Sequence, residues 1–195
     1  MKKRKLSLFG VLGFLLILAG ISLFLVFHIR TEMGIRHCHR IISQMLQLLP
    51  ERSAGIPGIS ASSAMPVLEI ENIDYVGMLE IPSIGLSLPV ADQWDKADLY
   101  RSPSRFFGSA YDNSLVIGGI DHAEQFAFCK KIEHGALLTV TDMTGVQFTY
   151  EVARIDRAKH ADPAWLMHTD FALTLFCHDI YSMEYIAVRC HAAFS

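Results

Sequence analysis

Cysteine is scarce in this chain, and its four cysteines show none of the spacings that bind metals or form redox pairs. Cys38, Cys129, Cys177 and Cys190 include no C-x-x-C pair and no zinc-finger spacing. In an exported protein these cysteines could be oxidised to disulfides. However, cysteines this far apart in the sequence do not indicate a disulfide framework. We interpret them mainly as small buried apolar residues. We predict no metal site and no cofactor.

The chain also lacks a basic surface beyond its first quarter. Residues 1–49 hold seven Lys or Arg and one Glu, whereas residues 50–195 hold ten Lys or Arg and nineteen Asp or Glu. Phosphate binding needs a basic patch. The acidic portion therefore excludes nucleic acid as the expected partner. No internal repeat is visible, and the length allows one domain with its own core.

One long hydrophobic run is present. Residues 6–27 carry no charge, and 22 residues of helix span about 30 Å, which is the thickness of a bilayer core. The four residues immediately before this run are all basic: Lys2, Lys3, Arg4 and Lys5. By the positive-inside rule we predict a cytoplasmic tail over 1–5, a single transmembrane helix over 6–27, and an extracytoplasmic remainder in the cell membrane.

A cleaved signal peptide is the alternative for this run. The run is long for the hydrophobic region of a signal peptide, and no A-x-A-like site follows it directly. The residues that do follow are His28, Ile29 and Arg30. The sequence favours an uncleaved anchor.

Residues 28–66 are predicted to contain a juxtamembrane helix and a linker. Apolar residues recur at helical spacing over 29–49, at Met33, Ile41, Met45 and Leu48. We favour a solvated helix over a dimer contact. Pro50 ends the helix, and residues 53–66, rich in Ser, Ala, Gly and Pro, are predicted to be a flexible linker.

The folded domain is predicted over residues 67–195, and its pattern is that of an all-β protein. Short strand-like runs alternate with turn signals, at 75–81, 86–90, 115–118, 137–141, 146–155, 172–178 and 185–190. The pair Thr144-Gly145 is a tight hairpin turn between two of them. Many short strands with few helices indicate a closed barrel or a sandwich.

Two short helices are predicted within this domain. One candidate covers residues 95–100. The other covers 163–167, where Asp162 is a suitable N-cap and Pro163 occupies the first helical position. Neither segment is long enough to change the fold class.

The ordered motifs of this domain resemble those of sortases over about residues 68–191. Residues 75–90, YVGMLEIPSIGLSLPV, are similar to the family's Y-x-G-x-L-x-I-P-x-x-x-x-x-x-P-V opening. Residues 113–119, NSLVIGG, resemble the N-x-V-I-A-G that precedes its catalytic histidine. Residues 137–142 and 148–152 resemble its middle hairpin. Each piece alone is weak, but their order and spacing together are fairly specific.

The resemblance is most informative at the last two strands. Residues 173–178, LTLFCH, resemble the family's L-T-L-F-T-C, which ends on the nucleophilic cysteine. Residues 185–190, YIAVRC, resemble R-V-x-V-R-C, which begins with the catalytic arginine. Aligned without gaps, the cysteine position falls on His178, the arginine position on Tyr185, and the histidine position on Ile120.

The resemblance implies an eight-stranded β-barrel outside the membrane. It also implies descent from cysteine transpeptidases that cut a sorting signal and attach proteins to cell wall or pili. The three departures remove the chemistry of that reaction. An isoleucine cannot transfer a proton, a histidine cannot form the thioester, and a tyrosine brings no positive charge to an oxyanion.

Three neighbouring residues could restore a catalytic set: Cys177, His122 and Arg189. Strand alternation places Cys177 on the apolar face with Leu173 and Leu175, so we predict a buried and inert thiol; a local bulge would be needed to turn it outward. Arg189 shares the face of Tyr185 but lies about 13 Å along the strand. We interpret Arg189 as a solvated strand charge and His122 as a surface loop residue.

Three functional hypotheses follow. The favoured one is a membrane-anchored sortase-like protein without transpeptidase activity, which keeps a groove for sorting-signal peptides and acts beside an active sortase in a cell-wall or pilus system. The second is a divergent active transpeptidase or protease that uses Cys177. The third is a folded relic with structural use only. The orientation of Cys177 and His178 distinguishes the first two.

Overall fold

A computed structural model describes residues 8–51, 53–54, 64–167 and 170–193. The predicted tail over 1–5 and most of the predicted linker lie outside the described residues. The described helices are α1 (Leu8–Leu48) and α2 (Pro163–Leu166). The described strands are β1 (Ser53–Ala54), β2 (Leu68–Ile70), β3 (Ile73–Ile81), β4 (Leu86–Ala91), β5 (Ser104–Phe107), β6 (Leu115–Gly118), β7 (Leu137–Asp142), β8 (Val146–Ala158), β9 (Leu173–Asp179) and β10 (Glu184–Ala192).

Eight of these strands close into a barrel. The hydrogen-bonded order is β3-β7-β8-β10-β9-β6-β5-β4, and β4 pairs with β3 to complete the ring. The short strands β1 and β2 add to the outside of β8 and β3. Closure leaves the eight ring strands without a free edge. The predicted all-β class and the eight-stranded barrel are therefore confirmed. The last two strands, β9 and β10, pair in antiparallel orientation.

Local sequence signals account for the turns. At the β7–β8 hairpin, the Asp142 carboxylate accepts hydrogen bonds from the backbone N–H groups of Thr144 and Val146, and Gly145 takes φ 85°. Asp162 caps α2 by accepting from the Trp165 N–H at 2.6 Å, as predicted. The segment 95–100 forms consecutive turns and not the predicted helix.

The barrel interior is filled by the inward-facing half of each strand. Leu79, Ile117, Leu138, Leu175 and Val188 are among its fully buried side chains. The alternation along β9 and β10 places every second residue in this core. The opposite face of the same strands therefore points out of the barrel, where the candidate site lies.

The helix α1 is longer than predicted, and its first part differs in character from its last part. It runs without a break through the apolar stretch and the segment predicted as a separate juxtamembrane helix. Its first part is long and apolar enough to span a bilayer. Its last part packs on the barrel, where Ile41 and Met45 are fully buried against Ile70, Tyr75 and Ala91. The interpretation of this part as a solvated helix is wrong, because the barrel presents an apolar face to it.

Polar contacts fix the rotation of α1 on the barrel. They join Nε2 of His37 to the Tyr75 hydroxyl at 3.1 Å, the Cys38 thiol to the Arg101 carbonyl at 2.8 Å, and Arg40 to Glu71 at 3.2 Å. These three side chains lie within about one turn of the helix. The apolar and polar contacts together define a single docked position for the last part of α1.

Replacing Gly34 with alanine should dislodge the docked part of α1. A Cβ at Gly34 would collide with the backbone carbonyl oxygen of Tyr100, which cannot turn aside as a side chain can. Overpacking of this kind costs about 1–3 kcal/mol or more in unfolding free energy. Thermal unfolding of the full chain in detergent measures it.

Gly20→Ala is the matched control for this substitution. It lies in the same helix, and its added Cβ meets no atom within 4 Å. Alanine also has the higher helix propensity, so this variant should be as stable as the parent. Equal melting of the two variants would contradict the docked position of α1.

Candidate functional site

The outer faces of β9 and β10 form three cross-strand pairs, which we call the site rung, the middle rung and the anchor rung. In that order, the pairs are His178 with Tyr185, Phe176 with Ala187, and Thr174 with Arg189. Successive rungs are two residues apart, which is about 7 Å along a strand. The register runs without a shift through all three, so the three pairs are stacked along one continuous surface.

The site rung brings together the positions at which the sequence resemblance places the catalytic residues. The rings of His178 and Tyr185 are 4.8 Å apart between centroids and meet edge to face, and both are half-buried. The neighbouring strand β6 pairs with β9 at Gly118 and Phe176. Ile120 lies two residues beyond the end of β6, next to Asp121, which shares Lys130 with Asp179. The rung itself presents an imidazole and a phenol.

Cys177 lies on the other side of the sheet from the site rung. It is 1% exposed, and its thiol points into the barrel interior, where it donates to the carbonyl oxygen of Phe126 at 3.6 Å. The outward bulge that would be needed to present this thiol is absent, because β9 pairs with β10 in one register along 173–179. The geometry leaves the groove without the thiol that a cysteine transpeptidase needs.

The buried cysteines should resist alkylation in the folded protein. Burial raises the pKa of Cys190 to about 12 and that of Cys129 well above its ordinary value. At pH 8, a thiol with a pKa of about 12 has a thiolate fraction about 10³-fold lower than that of a thiol with the ordinary pKa. We expect iodoacetamide to modify the native full chain about 10³-fold more slowly than the denatured chain, as measured by intact mass. Rapid labelling of Cys177 alone would contradict the buried orientation.

The interpretation of Arg189 as a solvated strand charge is wrong. Arg189 is 0% exposed on the anchor rung, and its guanidinium is bound by acceptors from three segments. Burial lowers its pKa, and the Asp156 carboxylate, whose Oδ2 lies 3.3 Å from Nε, opposes that shift. Arg189 and Cys177 lie on opposite faces of the sheet. The structure therefore does not assemble Cys177, His122 and Arg189 into a catalytic set.

Aromatic side chains from outside the two strands cover the middle rung. The rings of Trp94 and Phe106 meet edge to face at 5.1 Å, and they lie 5.4 Å and 5.6 Å from the ring of Phe176. Trp165 and Leu166 belong to the same apolar cluster. The outer surface of the middle rung is consequently apolar and covered by other parts of the chain. Sequence reasoning missed this, since the four residues come from three distant segments.

A charged clip holds the loops beyond the site rung. Nζ of Lys130 lies 2.6 Å from Asp121 and 3.0 Å from Asp179, the residues that follow Ile120 and His178. The Tyr181 N–H, and then Lys130, hold the pKa of Asp179 well below its usual range. The sequence offered no signal for Lys130, because its partners are distant along the chain.

His122 occupies the turn after Ile120 and lines an open cavity of about 990 Å³. Its backbone N–H donates to the Ile120 carbonyl at 2.8 Å, and Nδ1 accepts from the Glu124 N–H at 3.3 Å. Lys130 and Tyr181 line the same cavity. The residue is thus a half-buried loop histidine beside the clip.

No protein-family model matches this chain, and no curated protein matches its sequence. Solved sortases do match its structure. A lid mutant of Corynebacterium diphtheriae sortase A is 21% identical, with a TM-score of 0.54, over 62% of this chain and 71% of that one.

Two further sortase structures agree with this match. Another structure of C. diphtheriae sortase A is 15% identical, with a TM-score of 0.54, over 85% of each chain. Clostridium perfringens sortase C, solved with the C-terminal cell wall sorting motif, is 19% identical, with a TM-score of 0.52, over 63% of this chain and 72% of that one. At such identities a likeness establishes the fold alone. Together with the barrel topology, these matches show that the chain has a sortase-like fold.

Proposed function

We propose that this chain is a membrane-anchored, extracytoplasmic sortase-fold protein that binds peptides and has no cysteine transpeptidase activity. Its groove would hold sorting-signal peptides within a cell-wall or pilus anchoring system, beside an active sortase. C. perfringens sortase C, which has the same fold, was solved with the C-terminal cell wall sorting motif. That structure supports a peptide as the ligand class for this fold.

The observation that carries the proposal is the composition of the site rung. His178 and Tyr185 face outward as an aromatic pair, while Cys177 is buried on the opposite face. A transpeptidase of this type forms a thioester on a thiolate and stabilises the resulting oxyanion with a cation. Here the two outward positions of the site rung carry neither a thiol nor a guanidinium. Aromatic and apolar surface of this kind remains suitable for binding a peptide.

The full chain in detergent, incubated with a pool of sorting-signal peptides, should form no covalent adduct. Removal of one oxyanion donor commonly costs about 10²–10³ in rate, and here the nucleophile is missing as well. Intact-mass spectrometry measures adducts, and fluorescence anisotropy of labelled peptides measures binding. Cys177→Ala is the control and should leave both readouts unchanged.

Two results would contradict different parts of the proposal. An acyl adduct on Cys177 would establish the active transpeptidase instead. Absence of binding at millimolar peptide would remove the binding function. The triple variant Ile120→His, His178→Cys and Tyr185→Arg tests whether restored side chains recover the reaction, provided that their supporting residues still position them.

The anchor has its own test. Four basic residues precede the apolar run, and the positive-inside rule then leaves the barrel outside. Protease added to intact cells without their wall should remove the barrel domain. Protection of the barrel would reverse the proposed topology.

A further inference from the structure

Arg189 is the best-bonded cation among the described residues, and it lies in the groove's anchor rung. Its guanidinium binds the Asp156 carboxylate at 3.3 Å, the Thr174 hydroxyl at 3.0 Å and the Leu166 carbonyl at 2.8 Å, and it also donates to the Trp165 carbonyl. Each of these acceptors pairs with a buried N–H group of the guanidinium, which would lower the stability of the fold if it were left unpaired. These partners form two sets, which belong to different parts of the chain.

The first set belongs to the barrel. Asp156 is a residue of β8 and Thr174 is a residue of β9, so both are fixed by the sheet. These two partners alone give the buried guanidinium a charged and a neutral acceptor. Arg189 would therefore remain paired in the barrel if its other contacts were broken.

The second set belongs to the segment 159–172, which we call the strap and which the structure describes at 159–167 and 170–172. The two carbonyls that Arg189 binds are at the end of α2, where backbone acceptors have no helical partner. The guanidinium also lies 4.9 Å from the Trp165 ring and 6.0 Å from the Phe171 ring. One side chain of the barrel thus holds the helix and the aromatic residues of the strap.

From this anchor the strap extends over the neighbouring rungs. Leu166, Trp165 and Ala161 pack in the outer apolar cluster with Phe176 and Ala187 of the middle rung, and Tyr185 of the site rung contacts the same cluster. Trp165 keeps part of its ring exposed to solvent. The strap occupies the apolar surface that an extended ligand would need.

We propose that the strap is the resident occupant of the groove, that Arg189 is its anchor, and that a peptide ligand enters by displacing Trp165. This inference rests on the proposed peptide-binding function. The ligand class is an extended peptide with one bulky apolar side chain, which takes the place of the Trp165 ring over the middle rung. Arg189 is a positioning residue in this arrangement, since it acts on the groove through the strap.

The chain offers an intrinsic probe of the strap. It has two tryptophans, Trp94 and Trp165, so Trp94→Phe leaves Trp165 as the single reporter. In this background Arg189→Lys keeps the charge but loses the planar fork that binds several acceptors. Acrylamide quenching of Trp165 in the full chain should then rise about twofold or more as the strap opens locally.

Arg157→Lys is the matched control, because Arg157 is an exposed arginine of β8. It should leave the quenching of Trp165 unchanged. Equal quenching in the Arg189→Lys variant and its parent would overturn the role of Arg189 as anchor. Near-ultraviolet circular dichroism confirms that the barrel of each variant is folded.

Competition between strap and ligand is tested by Trp165→Ala. Removing the occupant should tighten the binding of labelled pentapeptides that carry one Leu, Phe or Trp by about tenfold, since the open state becomes more populated. A tryptophan with only a structural role would give weaker or equal binding. Equal or weaker binding by the variant, with clear binding by the parent, overturns the strap proposal. Binding by neither protein overturns the peptide function itself, and the quenching result separates these two failures.

Discussion

A chain that begins at residue 50 should unfold about 10–20 °C below one that begins at residue 33. The shorter chain keeps all the described strands but lacks Ile41 and Met45, which are fully buried against the barrel. Burial of each such side chain contributes about 1.5–3 kcal/mol, so the loss is about 3–6 kcal/mol. It would expose the apolar surface of Ile70 and Tyr75 to water.

Differential scanning calorimetry of the two chains measures this loss. The double variant Ile41→Ala and Met45→Ala in the longer chain should reproduce most of it, because it removes the same apolar contacts without shortening the chain. Leu46→Ala, at an exposed position of the same helix, is the control and should change little. Identical melting of the two chains would show that α1 adds nothing to the barrel.

Arg189→Ala should lower the unfolding free energy by about 3–5 kcal/mol, because it truncates a fully buried side chain and leaves two backbone carbonyls without their donor. The variant leaves the carbonyls of Trp165 and Leu166 without the donor they share in the native structure. It also opens space beneath the strap. Asp156 keeps an ion pair with Arg154 at 2.8 Å, so the loss should come mainly from the strap and the cavity.

Urea denaturation measures this second effect, with Arg157→Ala as the control. An exposed arginine without a buried network should cost less than about 0.5 kcal/mol. A loss below about 1 kcal/mol for Arg189→Ala would indicate that the strap is held by its apolar contacts alone. The same measurement on Arg189→Met separates the charge from the packing, since methionine restores part of the volume.

The barrel could be predicted because its information is local. Alternation of apolar residues and turn residues such as Gly145 and Asp162 specify strands and caps over a few positions. The same alternation correctly placed Cys177 inside the barrel and His178 outside it. Motif order then indicated how the strands are arranged.

The parts that could not be predicted depend on contacts between distant segments. Arg189 is buried under the strap, where it binds the carbonyls of Trp165 and Leu166, more than 20 positions earlier in the chain, and no local pattern reveals that cover. The spacing of Ile41 and Met45 correctly predicted an apolar helix face, but not that the barrel covers it. Gly34 was the available signal, since a glycine in a helix often marks a close approach of another backbone.

The docking of α1 also determines where the groove can go. A flexible linker of 14 residues, the length of 53–66, has an average end-to-end distance of about 20 Å, so a domain held only by such a linker could take many positions relative to the helix. Here Ile41 and Met45 pack against the barrel, and both residues precede that segment in the chain. The barrel therefore cannot move relative to the helix, whatever the length of the segment. The orientation of the groove about the axis of α1 is then determined by the helix itself. One residue inserted between Phe27 and Gly34 would rotate the outer face of β9 and β10 by about 100° around the helix axis and shift it by about 1.5 Å along that axis, relative to the first part of α1.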